Sequence, residues 1–261
     1  MRKNRDVLIY YALLHNGDWE KIYDSIRHYD SDIPWEVYDS YPKHLKENCI
    51  TILDTDIYPS ILASVQYPPF VLFYKGDISL LKNTSKIVGV VGTRSPTEIG
   101  IAATNMVVDS LPKDYLVVSG MAIGVDSLAH RRAINDKIKT IAVLPCGIDE
   151  YYPPSSKDIY RELSKNHLVL SEYPFSVGEF PPTRFPYRNR IIVGLTNKVF
   201  IPEAYDKSGT MISVHLALCF GRDVICVPHP FNAKTANNRL IKDGADFVEN
   251  STDVLEVLGK L

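Results

Sequence analysis

Between Ile87 and Ile134 the chain repeats one pattern twice. An apolar, largely β-branched run (Ile87–Val91, then Leu116–Val118) leads into a Gly/Ser-rich turn, and a periodic segment follows. The turns read Gly92-Thr93-Arg94-Ser95-Pro96-Thr97 and Ser119-Gly120-Met121-Ala122-Ile123-Gly124. Apolar runs this short, bounded by turns and separated by helical periodicity, predict buried parallel strands in a βαβα unit. The loops leave the carboxyl ends of their strands, where open α/β sheets bind ligands. Glycine lets a backbone approach a phosphate closely, and the next helix start directs N–H groups and the positive dipole end toward it. Arg94 adds a fork of donors that matches a phosphate. Gly92, Arg94, Ser119 and Gly120 are therefore expected to form one anion-binding floor.

The alternation continues. Strands are predicted at Thr140–Leu144, His167–Leu170, Lys198–Ile201, Asp223–Val227 and Phe247-Val248. Helices are predicted at about Ser156 to Ser164, from Phe185 or shortly after through Leu195, from Ser208 to Phe220, over Asn237–Gly244, and over Ser251–Leu258. A long irregular segment, Tyr173 to Pro186, separates two of these units, and loops of that length are usually functional or disordered. The fold class is α/β, an extended Rossmann-like, doubly wound and mostly parallel sheet.

The first 48 residues have a different rhythm, short amphipathic helices carrying Trp19 and Trp35, with Asp18 and Asp32 as helix-start residues. From Cys49 to Lys86 the chain is proline-punctuated and extended, an edge strand and lead-in to the sheet. The expected organisation is a small N-terminal helical module, 1–48, and a Rossmann-like core, 49–261. Met1-Arg2-Lys3-Asn4-Arg5 before an apolar run mimics a secretion signal. No small-residue cleavage site follows, and no later segment approaches the length of a membrane span.

Composition narrows the function. The chain has 261 residues, 45% hydrophobic and 23% charged, with a formal net charge of −2. A global basic field is excluded, so a nucleic-acid surface must be a local patch. The four cysteines form no C-x-x-C, which fits a reduced cytoplasmic setting. Histidines in no ligand-type spacing give no reason to expect a metal or other cofactor. There is no G-x-x-x-x-G-K-[ST], and the first turn is not G-x-G-x-x-G, which argues against a P-loop or a nicotinamide site.

The densest candidate cluster is Arg184, Phe185, Arg188, Asn189 and Arg190. Arg forks bind phosphates, an aromatic face stacks a base, and an amide reads a base edge, a combination suited to single-stranded nucleic acid. The arginines could equally brace the sheet by pairing with Glu172 or Glu203. Ser208-Gly209-Thr210 at a helix start is a second anion nest or a plain N-cap. Asp126 and His130, at i and i+4, share a helix face and read as a helix-start acid and a packed histidine more readily than as an acid/base pair. Asp149, Glu172 and Glu203 each follow a strand and could converge. Arg131-Arg132 reads as a solvated helix face.

Taken in order, these motifs resemble the DNA-processing protein A (DprA/Smf) family. They are Gly92-Thr93-Arg94-Ser95-Pro96, Ser119 to Asp126 with Ala129-His130, Ile141 to Leu144 with Gly147-Ile148-Asp149 and Tyr152-Pro153, Ser171-Glu172, Phe185 to Ile191, Glu203-Ala204 with Ser208-Gly209, and Leu240-Ile241 with Gly244-Ala245. The resemblance covers roughly residues 50 to 250. It implies a non-catalytic protein that binds single-stranded DNA, loads the RecA recombinase during natural transformation and self-associates as a dimer. Arg94, Phe185 and Asn189 would belong to the DNA pocket, with Arg188 and Arg190 at its edge or bracing it. Thr93 stands where Ser is commoner, Ala236 where Gly is usual, and no winged-helix tail is expected after residue 261. The competing class is a Rossmann-like enzyme hydrolysing a nucleotide or nucleoside monophosphate with Gly209-Thr210 and Glu203. A weaker third reading is a sensor of a free nucleotide.

Overall fold

The computed structural model describes residues 4–29, 33–176, 178 and 180–259. Four short helices open the chain: α1 (Asn4–Leu14), α2 (Trp19–Arg27), α3 (Trp35–Ser40) and α4 (Lys43–Glu47). The Asp18 carboxylate caps α2 by accepting from Lys21 N, which satisfies one orphan donor. Asp32, the other expected helix start, lies outside the described residues. Next come β1 (Cys49–Thr51), α5 (Ser60–Ala63) and β2 (Val71–Gly76), then the alternating part of the chain. That part runs β3 (Ile87–Val90), α6 (Glu98–Asp109), β4 (Leu116–Ser119), α7 (Val125–Asn135), β5 (Lys139–Leu144), α8 (Lys157–Asn166) and β6 (Leu168–Ser171). It continues through α9 (Arg184–Gly194), β7 (Lys198–Ile201), α10 (Gly209–Cys219), β8 (Asp223–Cys226), α11 (Asn237–Lys242), β9 (Asp246–Phe247) and α12 (Ser251–Val257).

The irregular segment after β6 is shorter than the sequence suggests. It ends at Thr183, and Phe185 and Pro186 already lie in the first turn of α9. Proline is tolerated there because that N–H has no intrahelical partner.

The nine strands of the described residues join one sheet in the order β1-β2-β6-β5-β4-β3-β7-β8-β9. From β6 to β9 every neighbouring pair is parallel, whereas β1 and β2 add an antiparallel edge. The chain builds outward from β3 to β6, then crosses back and adds β7, β8 and β9 on the other side of β3. That reversal makes the junction of β3 and β7 the topological switch point.

Both faces of the sheet are covered, which is why its strands read as unbroken apolar runs. Alternate residues feed opposite cores. Val117 packs with Val107 and Ala129 of α6 and α7. Its neighbour Val118 packs with Ile191 and Val214 of α9 and α10. A third core joins the N-terminal helices to the sheet: Ile9, Leu13 and Leu45 pack with Phe73, Leu144 and Val169. Each such side chain contributes about 1.5–3 kcal/mol on burial. Arg5 reinforces the junction, donating through Nε to Asp54 and through Nη2 to the Cys49 carbonyl at 2.7 Å. No helix among the described residues is long and apolar enough to cross a membrane.

Candidate nucleic-acid interface

At the switch point the loop after β3 leads to α6 on one face, and the loop after β7 leads to α10 on the other. Between them opens a cavity of about 420 Å³. Gly92 to Ser95 form one wall, Phe185, Arg188 and Asn189 of α9 a second, and Ser208 to Thr210 with Ser213 of α10 a third.

The β3 loop is pinned from behind. Thr93 N donates to the Glu203 carbonyl at 2.9 Å, and the Thr93 carbonyl accepts from Val125 N at 3.1 Å. Thr93 Oγ1 accepts from Ser95 N. With its neighbours fixed, Arg94 projects outward, exposed. Its guanidinium makes no hydrogen bond or ion pair among the described residues, and its carbon lies 5.0 Å from the centre of the Phe185 ring.

The floor expected from the two glycine turns is already filled by the protein itself. Glu203 is fully buried, and its Oε2 accepts from Thr97 N at 2.8 Å and from Thr97 Oγ1 at 3.1 Å at the start of α6. Its Oε1 accepts from the Tyr205 hydroxyl. A Cβ on Gly100 would stand 1.8 Å from Glu203 Oε2, so α6 needs glycine there to admit its own anion. The start of α7 is equally occupied: Asp126 Oδ2 accepts from Gly120 N at 3.1 Å, and Val125 N is taken by Thr93. Gly92 and Gly120 turn out to be packing glycines. A Cβ on Gly92 would meet Val125 Cγ2 at 2.6 Å, and one on Gly120 would meet Arg188 Nη2 at 2.4 Å. Gly120 and Ser119 are buried outside the cavity lining, and Ser119 donates its hydroxyl to the Val90 carbonyl.

The open helix start is that of α10. Ser208 stands at its N-cap position but turns its hydroxyl back to the Tyr205 carbonyl at 2.7 Å. A Cβ on Gly209 would meet nothing within 4 Å, so this glycine faces free space. The first N–H groups of a helix lack intrahelical partners and carry its positive dipole end, so α10 presents an anion seat.

Helix α9 supplies the rest. Arg188 is buried and donates through Nη1 to the carbonyls of Gly120, at 2.7 Å, and Val143, and through Nε to Asn189 Oδ1 at 3.0 Å. Burial pulls its pKa down to about 10, against the field of Asp126, so it stays charged at neutral pH. Burial likewise raises Asp126, opposed by Arg188 and by the N–H groups of Gly120, Ala122 and Gly92. Asn189 donates through Nδ2 to Ser213 Oγ at 3.0 Å, fixing its amide between α9 and α10. Arg190 points away from this cavity. It forms a buried, two-pronged pair with Glu172, at 2.7 and 2.5 Å, and lies over the Tyr187 ring. It braces the sheet, one of the two roles its position allowed.

Phe185 is half-buried in an aromatic group, 5.4 Å from Tyr152 and 5.6 Å from Phe180 between ring centres. Sequence reasoning missed Tyr152 and Phe180 as neighbours of the site. Both come from irregular segments, and no local spacing links them to Phe185. The three strand-end acids do not converge. Asp149 accepts from Lys75 at 2.7 Å and from His44 at 3.0 Å, Glu172 holds Arg190, and Glu203 caps α6. Among the described residues no three potential metal-ligating side chains meet. Arg131 and Arg132 pair on the surface with Asp158 and Asp109. His130 is buried against Thr140 and not beside the cavity.

The comparisons with known proteins agree with this architecture. The family model for DNA recombination-mediator protein A matches residues 48–259. The DNA processing protein DprA of Streptococcus pneumoniae is 39% identical over 208 residues, 78% of this chain and 72% of that protein. Its X-ray structure superposes with a TM-score of 0.79 at 32% identity over 98% of both chains. A structure of DNA processing protein A from Helicobacter pylori, described for its single-stranded DNA binding mode, gives 0.70 at 32% identity, covering 77% of this chain and 93% of that one. From β1 to α12, then, in sequence and in fold, the chain belongs to the DNA recombination-mediator protein A family.

Proposed function

We propose that this protein binds single-stranded DNA in the switch-point cavity and delivers it to the RecA recombinase as a non-catalytic mediator, in the cytoplasm, on DNA taken up in transformation. One observation carries the reading: an uncommitted guanidinium, Arg94, over an aromatic ring, Phe185, beside the open start of α10. A phosphate would draw Arg94 toward α10 and uncover the ring, so that base stacking replaces the cation–ring contact. Stacked bases in a duplex cannot reach the ring, so single strands are preferred. Gly92, Ser208 and Gly209 shape the backbone of this seat, Asn189 offers its amide to a base edge, and Arg188 supplies positive charge from behind. Ser119, Gly120 and Arg190 act only by holding the others in place. The single-stranded DNA described for the H. pylori relative supports the ligand class. RecA and the transformation setting follow from the family resemblance.

The hydrolase reading requires an acid free to activate water. Glu203 is committed to Thr97 and Tyr205, which favours the mediator. We also propose that residues 1–48 form a helical module on a DNA-binding core of 49–261, and that the protein self-associates through the β9 edge. Val254 of α12 and Leu258 just after it are buried against the core. Phe247 of β9 and Phe231, which lines the same surface cavity, are 51% and 97% exposed and offer the apolar surface an isologous contact needs.

Fluorescence anisotropy with labelled single strands and duplexes, run beside a nucleotide-hydrolysis assay, tests the reading. Tight single-strand binding without turnover is expected. Equal affinity for duplex, or steady nucleotide hydrolysis, overturns it.

A further inference from the structure

The first turn of α9 separates two cavities. Phe185, Arg188 and Asn189 line the first, whereas Arg184 and Tyr187 line a second of about 440 Å³. The opposite wall of the second is the start of α2, with Trp19 and Lys21, and Tyr173 also lines it. The N-terminal helices therefore complete it.

That wall is held firmly. Gly17 has φ of +73°, and a Cβ there would stand 2.2 Å from the Glu172 carbonyl oxygen, so only glycine lets this loop lie against β6. Asn16 Oδ1 accepts from Phe175 N at 3.1 Å, and Trp19 Nε1 donates to the Pro68 carbonyl at 2.8 Å. The Trp19 ring is already stacked against Tyr23, at 5.2 Å, and Phe70, at 5.0 Å between ring centres, so it serves as a wall.

Arg184 is the unexplained group. Its guanidinium lies over Tyr173, 3.8 Å from the ring centre, and makes no hydrogen bond or ion pair among the described residues. Its Nη1 is buried without a hydrogen-bond partner among the described residues. A buried donor of this kind calls for an acceptor. The wall also carries acid: Asp18, 3.4 Å from Lys21 Nζ, and Glu20. Lys21 and Arg184 offset these two carboxylates, so the lining carries no net charge, and a neutral planar group with carbonyl acceptors is the fitting occupant. Guanidinium planes stack on nucleobases, and their in-plane N–H groups reach carbonyl oxygens. Along α9, Arg184 lies one helical turn before Arg188, about 6 Å of rise.

We infer that the second cavity holds a further base of the strand seated in the first, so that the N-terminal helices form part of the DNA path. This rests on the single-strand reading of the first cavity. The test is an affinity series with oligothymidylates of about 2 to about 12 nucleotides, a span that includes common site sizes. Wild type is expected to gain affinity in two steps as the strand lengthens. Arg184→Ala should remove the second step, a loss of about tenfold on long strands, while short strands bind as in wild type. Tyr187→Phe, which keeps the ring, controls for packing, and a circular-dichroism melt checks the fold of both variants. A single step in wild type, or an Arg184→Ala loss equal at all lengths, overturns the second site and leaves the first standing. No binding at any length removes both.

Discussion

Arg94 and Phe185, ninety-one residues apart in sequence, meet as cation over ring, 5.0 Å from guanidinium carbon to ring centre. Arg94 has no other polar partner among the described residues, so its removal should leave the fold intact. Arg94→Ala is expected to weaken single-strand binding similarly for all sequences and to lower the slope of log affinity against log salt by about 0.7. Salt titration of the variant checks this, and an unchanged slope in a folded protein contradicts a phosphate contact.

Phe185 belongs to an aromatic group as well as to the cavity, so truncation mixes packing with binding. Phe185→Leu keeps most of the volume and removes the π face. The expected result is a loss of roughly tenfold to a hundredfold in single-strand affinity, equivalent to about 1–3 kcal/mol of stacking. The melting temperature should shift by only a few degrees. A large drop in melting temperature with affinity per folded molecule unchanged assigns the ring to the core.

Gly120, packed behind the cavity, and Gly209, in its lining, should behave oppositely. Gly120→Ala drives a methyl group into the Arg188 guanidinium, which is buried and committed to two carbonyls. Overpacking of this kind costs about 1–3 kcal/mol, readable as a lower urea midpoint. Gly209→Ala meets open space, so stability should stay within about 0.5 kcal/mol of wild type. DNA affinity should nevertheless fall, because the methyl narrows the approach to α10. Equal destabilisation by both substitutions contradicts the distinction.

Acid should loosen the fold through His130. Burial holds its pKa down to about 3, against 6.5 for the free group, and His167 and Arg188 add to the shift. The Thr140 hydroxyl donates to the Val117 carbonyl and so accepts from His130 Nδ1, which makes the neutral imidazole an Nδ1–H tautomer. Between about pH 6.5 and 3 the unfolded chain binds a proton that the folded chain refuses. Stability is therefore full above 6.5 and falls as the pH drops, at up to about 1.4 kcal/mol per unit from this group. Urea unfolding from pH 7.5 to 4.5 should show the decline, and His130→Gln should flatten it. An identical decline in the variant assigns the effect to other groups.

The fold was legible because buried parallel strands are local signals. Runs such as Leu116–Ser119 and Lys198–Ile201 carry their burial in their own composition. The cluster on α9 was legible for the same reason, being contiguous. The filling of the glycine turns was not: Glu203 caps Thr97 across 106 positions, and nothing in either segment alone marks the pairing. Glycines that admit a neighbour look identical in sequence to glycines that admit a ligand. Only the contacts separate the two: a Cβ on Gly92 or Gly120 meets a neighbour, and one on Gly209 meets open space. The sorting of Arg188 and Arg190 to different sides of α9 follows helical periodicity, but which side faced the cavity depended on where β3 and β7 met.

Glu203 gives the cavity a valency. Of the three helix starts at the strand ends, that of α6 faces Glu203 and that of α7 is closed by Asp126 and Thr93, whereas that of α10 is open to an incoming negative charge. On the reading proposed above, a strand threaded here would offer that seat one phosphate at a time. The others would stay in solvent or reach outward along the surface, in keeping with the mediator role proposed above.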